Sequence, residues 1–296
     1  MPEVLHCPAC RSRRIRRLPI SRVTGRSTVS CRVCGMCAHG EYDDAPPEVM
    51  TEDALTQELY AAYVAAKRDG GRPEIWRQTL TDCASKLGQG PVKVFDVGAG
   101  DGGFLQIARD EFGFEVFGNE TAAAAVAMAA ERHDVELELG DLGELGHRDE
   151  FDLVTMWCVL AHVPNGDNLL KDTFAMLRPG GLLTLQTPNR TAVDRAALEM
   201  ARVTRGRVVK LSDRRLPVHH TILHTPESIE LQLVRLGFTD VTVKAQARYS
   251  LSSELYLHFM GLRGGALKVG SRVMDRMVAS GLAPRIVLDV TARKPG

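Results

Sequence analysis

Two sets of residues have types and spacings that could do chemistry. The first is Cys7-x2-Cys10, then 20 intervening residues, then Cys31-x2-Cys34. Each CxxC lets one tight turn aim two sulfurs at a single ion, and two such turns complete a tetrahedron, which is the four-thiolate spacing of a structural zinc ribbon. Gly35 suits the left-handed turn that closes the second pair, and Arg11 takes the equivalent place in the first. Cys37 and His39 stand close enough to replace one of the four. The second set is Gly98-Ala-Gly100-Asp-Gly102-Gly103. Glycines let a backbone approach a ligand closely, and a helix starting there offers its N-terminal dipole. The string satisfies both GxGxG and GxGxxG, so by itself it does not separate S-adenosylmethionine from a dinucleotide. Glu120 lies 20 residues after Gly100, where a carboxylate can accept both hydroxyls of a ribose.

These residues need elements to place them. The apolar run Val92–Val97 predicts a buried strand before the glycines, and Phe104–Phe112 an amphipathic helix after them. Further strands are expected over Glu115–Gly118, Val135–Leu139, Phe151–Trp157, Leu182–Gln186, Phe238–Val243 and Arg285–Ala292. Helices are expected over 121–131, 166–177 and 226–236. Strands alternating with helices predict an α/β, doubly wound parallel sheet of seven strands with right-handed crossovers. Ahead of it, 51–68 and 73–87 show helical spacing, with Tyr60, Tyr63 and Trp76 expected mainly in packing. Between the paired cysteines a short hairpin is expected, turning at Thr24-Gly25.

Composition bounds the function. The 296 residues are 44% hydrophobic and 25% charged, as in ordinary globular chains. Basic and acidic residues balance at 37 each, so global charge argues for neither nucleic acid nor a membrane surface. The first 40 residues depart from that balance, with eight arginines, no lysine and Glu3 as the sole acid. Composition therefore breaks near residue 40, giving a ribbon over 1–40, a linker and helical segment over 41–91, and a catalytic domain over 92–296. The arginines form either a solvated surface or a patch for phosphate groups. No apolar run reaches the roughly 18 residues of a membrane span, and the N-terminus lacks a secretory apolar core. Seven cysteines, four in CxxC pairs, fit a reducing compartment better than a disulfide framework. A cytoplasmic protein is expected.

The string VFDVGAGDGGFL, with VFGNE, LELGDL, FDLVTMWCVLAHVPN, LRPGGLLTLQTPN and HHTILHTPESIELQLVRLGF, resembles the class I S-adenosylmethionine-dependent methyltransferases, with their Rossmann-like sheet. Within them it is most similar to the ubiquinone-biosynthesis O-methyltransferases and bacterial relatives that carry an N-terminal zinc ribbon. The resemblance implies a site made of Asp96, Gly98, Gly100 and Gly102 at the methionine end of the cofactor. It further implies Glu120 on the ribose, Asp141 and Leu142 at the adenine, and Trp157 and Cys158 near the methionine ammonium. His162 falls at the family's Leu-Glu-His-Val histidine, and His220 is the best placed of His219, His220 and His224 before the helix at 226–236; either could serve as a base. Ubiquinone-type enzymes carry acids where this chain has Cys158 and Ala161, which puts a metal-assisted catechol mechanism in doubt.

The reading that results is S-adenosylmethionine-dependent methyl transfer to a small-molecule, secondary-metabolite or glycan acceptor, most simply O-methylation with a histidine base, beside a structural zinc. Two alternatives stay open. One is an RNA methyltransferase gripping phosphate with the ribbon. The other is an enzyme like the nucleotide-sugar C-methyltransferases, although only about 50 residues follow strand six, half of a usual domain. Insertions at about 190–224 and 250–283 are expected to set specificity. The second carries apolar residues at helical spacing, including Leu251, Tyr256, Val269, Val273 and Met277, suited to core packing, a homodimer contact or a lid.

Overall fold

The computed structural model describes residues 6–18, 28–39, 72–88, 90–205, 207, 220–248, 252–259 and 261–296. In the first 40 residues, β1 (Ile15–Leu18) and β2 (Thr28–Cys31) form the expected antiparallel hairpin, with Ile15 opposite Cys31 and Leu18 opposite Thr28. The Thr24-Gly25 turn and the helix expected over 51–68 lie outside the described residues, as does His219. A third strand, β3 (Cys37–His39), pairs antiparallel with β2. A fourth comes from far along the chain: β9 (Ile222–Leu223) pairs antiparallel with β3.

Helix α1 (Arg72–Leu87) leads into the main sheet. There β4 (Lys93–Val97), α2 (Gly103–Phe112), β5 (Glu115–Glu120), α3 (Ala123–His133) and β6 (Glu138–Leu139) form the first half. After α4 (Leu142–Leu145) come β7 (Phe151–Trp157), α5 (Gly166–Met176), β8 (Leu177–Pro188) and α6 (Ala192–Val203). The chain ends with α7 (Pro226–Arg235), β10 (Thr239–Gln246), α8 (Ser253–Phe259), α9 (Gly264–Ala279) and β11 (Val287–Arg293). The seven strands lie in the order β10-β11-β8-β7-β4-β5-β6.

Strand β4 shows why the run reads as continuously apolar. Val94 and Phe95 are both fully buried yet belong to the apolar clusters on opposite faces, as a sheet covered on both sides requires. One face holds Phe95, Phe151, Met156, Leu170, Leu233 and Phe238. The other holds Val94, Phe104, Leu105, and Trp76 and Leu80 from α1. Each such side chain contributes about 1.5–3 kcal/mol by leaving water.

Three expectations are corrected. The sheet is not wholly parallel: β11 runs antiparallel between β8 and β10. Its buried residues Val287, Leu288, Val290 and Ala292 signal a strand, and that pattern carries no direction. The third strand shrinks to Glu138–Leu139, because β5 pairs with it only at Asn119–Glu138 and Glu120–Leu139; Val135 is buried as expected but lies outside the ladder. Strand β8 begins at Leu177 rather than at Leu182, so the Arg178-Pro-Gly-Gly181 segment is its first part.

The ribbon is docked, not tethered. Asp167 at the start of α5, with its side chain only 4% exposed, is paired with Arg11 of the ribbon and with Arg235 of α7 at 2.6 Å. Gln232 Nε2 donates to the same carboxylate at 2.8 Å. Arg235 also donates to the carbonyls of Pro8 and Ala9, each at 3.2 Å. Thr225 caps α7 in a reciprocal box with Ser228, and its hydroxyl donates to Cys34 O at 2.6 Å. Among the described residues, no helix is long and apolar enough to cross a membrane.

Candidate cofactor crevice and metal centre

The sulfurs of Cys7, Cys10, Cys31 and Cys34 all lie within 4.8 Å of one another, and all but Cys10 are fully buried. Cys7 and Cys34 are 3.5 Å apart, and Cys10 and Cys31 3.6 Å. Zinc–sulfur bonds of about 2.3 Å place tetrahedral sulfurs about 3.8 Å apart, whereas a disulfide needs about 2.05 Å. The donor set and its size therefore fit one tetrahedral ion. The two knuckles share a backbone plan. Cys7 N–H donates to Ser12 O, and Cys31 N–H to Met36 O, five residues on in each case. Arg11 and Gly35 are both left-handed, at φ 58° and 72°, so the arginine pays a small steric cost that glycine avoids. Val33 N–H points at Cys31 Sγ at 3.3 Å and Cys10 N–H at Cys7 Sγ at 3.5 Å. Cys37 is not part of the group; it is buried against Leu198 and Leu223.

The glycine loop sits at the point where strand order reverses. From β4 the chain steps outward through β5 and β6, then returns to β7 on the other side. Open α/β sheets bind ligands at the carboxyl edge of that reversal. Gly98, Gly100 and Gly102 all have positive φ, 64°, 62° and 76°, a region that side chains beyond glycine rarely occupy. A Cβ on Gly98 would lie 2.8 Å from Val159 Cγ2, in the loop after β7, so the two loops are in close contact at the carboxyl edge of the sheet. A Cβ on Gly102 would lie 3.0 Å from Ala129 Cβ of α3.

Acidic groups surround this loop. Asp96 is buried beneath it and accepts from Thr155 Oγ1 at 2.6 Å. Burial pushes its carboxyl up to about 8, against the Thr155 hydrogen bond, so it is mostly protonated at neutral pH. Glu120, at the end of β5, accepts from Gly100 N–H at 3.0 Å through Oε2 and from Thr121 N–H at 2.7 Å through Oε1. Oε1 also accepts from the Thr121 hydroxyl and from Ala122 N–H, each at 3.3 Å, so with about two acceptor sites per oxygen this side chain shapes the loop and keeps capacity for a hydroxyl at Oε2. Asp141 caps α4 through Gly143 N–H, and Leu142 beside it is buried. Trp157 ends β7 with its ring against Phe104 at 5.3 Å and Trp76 at 6.1 Å. Its indole N–H is buried and has no partner among the described residues. Cys158, next in the chain, is left-handed at φ 67° and donates its N–H to Gln186 O.

On the far side of the crevice the rings of His162 and His220 meet edge to face, with centroids 4.7 Å apart. Thr221 holds that approach, donating its N–H to Ala161 O at 2.7 Å and its hydroxyl to Ala161 O and Val163 O. His224 is different. It is fully buried, its Nδ1 lies 3.1 Å from Ser228 Oγ, and burial pulls it down to about 4, so it stays neutral.

A family model described as a methyltransferase domain matches residues 68–243. The chain belongs to that methyltransferase family. Among curated relatives, a ubiquinone biosynthesis O-methyltransferase of Psychrobacter arcticus is 29% identical over 164 residues, covering 52% of this chain and 62% of that one. A trans-aconitate 2-methyltransferase of Variovorax paradoxus is 32% identical over 100 residues, covering 33% of this chain and 39% of its own length. The chain thus spans less than two thirds of each. Among solved structures, a SAM dependent methyltransferase from Archaeoglobus fulgidus superposes with a TM-score of 0.52 at 17% identity, covering 79% of this chain and all of that one. At that identity the likeness is one of fold.

The ends of β4, β5, β6 and β7 bring the glycine loop, Glu120, Asp141, Trp157 and Cys158 to one edge of the larger sheet, while the four cysteines lie with the smaller sheet. Some residues not singled out in the sequence join them. Asn119 ties the loops together: its Oδ1 accepts from Gly98 N–H at 3.4 Å and its Nδ2 donates to Gly140 O at 2.9 Å. Its place beside Glu120 at a strand end was the available signal. Val159 closes over Gly98, and Asp167 locks the ribbon; neither has a local signature, because each acts through partners distant in sequence.

Proposed function

We propose that this chain is an S-adenosylmethionine-dependent methyltransferase acting on a small-molecule or glycan acceptor, with the thiolate cluster holding a structural zinc. The observation that carries the reading is the loop at the strand reversal, where three left-handed glycines meet the carboxylate of Glu120 and Val159 stands against Gly98. The residues fit the cofactor: backbone shaped to approach it, a carboxylate whose Oε2 accepts from Gly100 N–H alone, and a buried indole N–H without a partner among the described residues. Bound there, S-adenosylmethionine supplies an already activated methyl group. Gly98, Gly100 and Gly102, above Asp96, would hold its methionine end, Glu120 its ribose, and Asp141 and Leu142 its adenine, with Trp157 and Cys158 beside the ammonium.

The chain's own work is alignment, exclusion of water and removal of one proton. His162 takes the proton of an acceptor hydroxyl at a ring nitrogen, making the reaction O-methylation, and His220 steadies the ring it packs against. His224 takes no part in the proton transfer, since it is buried and bound to Ser228. Calorimetry with S-adenosylmethionine, followed by product analysis on a panel of hydroxylated metabolites, tests this. Glu120→Ala should weaken the cofactor at least about tenfold, as loss of hydrogen bonds to a charged group does. His162→Ala should keep cofactor affinity while lowering kcat and moving the pH profile. A chain that ignores S-adenosylmethionine and binds a nicotinamide dinucleotide would overturn the proposal.

A further inference from the structure

Between the ribbon hairpin and α6 lies a cavity of about 330 Å³, lined by Arg16, Ser30, Arg32, Arg190, Leu198 and Glu199. Its size falls at the lower end of small-ligand sites, and its charge is unbalanced. Among the described residues Glu199 is the one acid of the lining, and it is already bound by Arg16 at 2.5 Å and by Arg202 at 2.7 Å. Arg190 is 8% exposed. Its Nη1 donates to Ser30 Oγ at 2.8 Å and to the carbonyls of Gly35 and Met36, all neutral acceptors. Its Nε–H has no partner, and no carboxylate pairs with it among the described residues. Arg32 is exposed and likewise makes no ion pair among them. A buried cation without a counter-charge is costly, and this one borders a cavity that a second guanidinium, with no ion pair among the described residues, also lines.

We propose that this cleft binds a phosphoryl anion. Guanidinium forks match phosphate oxygens in geometry as well as charge, and Ser30 adds a hydroxyl. Among the described residues no aromatic ring lines the cavity, so they offer no stacking surface of the kind that single-stranded nucleic acid uses. A compact phosphoryl group suits it better than a strand. The cleft is also joined to the histidine side of the crevice. Arg190 N–H donates to His224 O at 2.6 Å, and the same segment carries His220 and Thr221. If the methyl-transfer reading holds, the anion belongs to the acceptor, and the chain methylates a phosphorylated molecule; the cleft itself does not depend on that reading.

The test uses the full-length, metal-loaded chain, titrated by calorimetry with inorganic phosphate and separately with ribose 5-phosphate. Both should bind, and tighter binding of the second marks an organic phosphate as the occupant. Arg32→Gln, a change at an exposed side chain, should weaken both about fivefold, a value reduced from that of a buried charged hydrogen bond because the group is partly hydrated. Arg13→Gln, on the same ribbon but outside the cleft, should leave both unchanged. S-adenosylmethionine affinity should be equal in all three proteins; if it is absent from all while phosphate still binds, the cleft stands and the methyl-transfer reading fails. The proposal is overturned if phosphate does not bind, or if Arg13→Gln and Arg32→Gln weaken it alike. It is equally overturned if a 12-nucleotide single-stranded RNA binds with strong salt dependence and inorganic phosphate does not compete, since the arginines then form an extended strand-binding surface.

Discussion

His224 makes the acid response of this fold predictable. Its ordinary value is 6.5 and burial pulls it down to about 4. The unfolded chain therefore takes up a proton that the folded chain refuses across that interval. Stability from this group is complete above about 6.5 and declines as pH falls toward 4. At 1.36 kcal/mol per pH unit, the whole interval is worth about 3 kcal/mol, and about 2 kcal/mol of it lies between pH 7 and pH 5. Asp96 acts in the opposite sense. Raised from 3.8 to about 8, it contributes stability that is complete below 3.8 and is lost as pH rises toward 8. The two slopes oppose each other, so the pH profile of the natural chain alone would mislead. The decisive measurement is the difference between the natural chain and His224→Gln, from urea unfolding followed by circular dichroism at pH 7 and pH 5. The variant should gain about 2 kcal/mol on the natural chain over that range. The neighbouring Asp167 is held below its ordinary value: burial pushes it up, but Arg235, Gln232 and Arg11 together outweigh burial. It loses its contribution only below about pH 4, outside this window. Parallel profiles for the two proteins would refute the assignment of His224 as a buried neutral ring.

Three further outcomes are expected. Gly98→Val should abolish measurable S-adenosylmethionine binding by calorimetry, because it combines a left-handed φ of 64°, costing about 1–2 kcal/mol for a side chain, with a contact 2.8 Å from Val159; unchanged affinity would place the cofactor elsewhere. Cys31→Ser should lose stoichiometric zinc by elemental analysis and unfold the ribbon, and full metal retention would show that another ligand serves. Asp167→Asn should destabilise the chain by about 2 kcal/mol, less than a fully buried ion pair because Arg11 is half exposed. Its hydrogen exchange should quicken at β3 and β9 while β4 stays protected, and a uniform change would deny the pairing its docking role.

The parts of the fold governed by local rules were legible. The apolar run of β4, the glycines after it and Glu120 at the end of β5 each follow from neighbours in sequence. The four thiols were legible because their chemistry demands that spacing. What escaped was set by distant partners. Strand β6 is short because β5 offers it only two pairing positions, and β11 runs against its neighbour β8 although its apolar pattern has no polarity. The role of Arg190 depends on carbonyls at Gly35 and Met36, more than 150 residues away. Likewise the two candidate histidines, 58 residues apart, meet only because Thr221 stitches their segments together.

The pairing of β9 with β3 bears on how this protein can be engineered. A portable module would carry all its strands within one stretch of chain, but here the outer edge of the small sheet is supplied from residues 222–223. Cutting away the first 40 residues would bare the wholly buried Ile222 and Leu223 and leave their backbone unpaired, an invitation to self-association. A chimera that exchanges the amino-terminal segment would have to exchange the matching inserted segment as well.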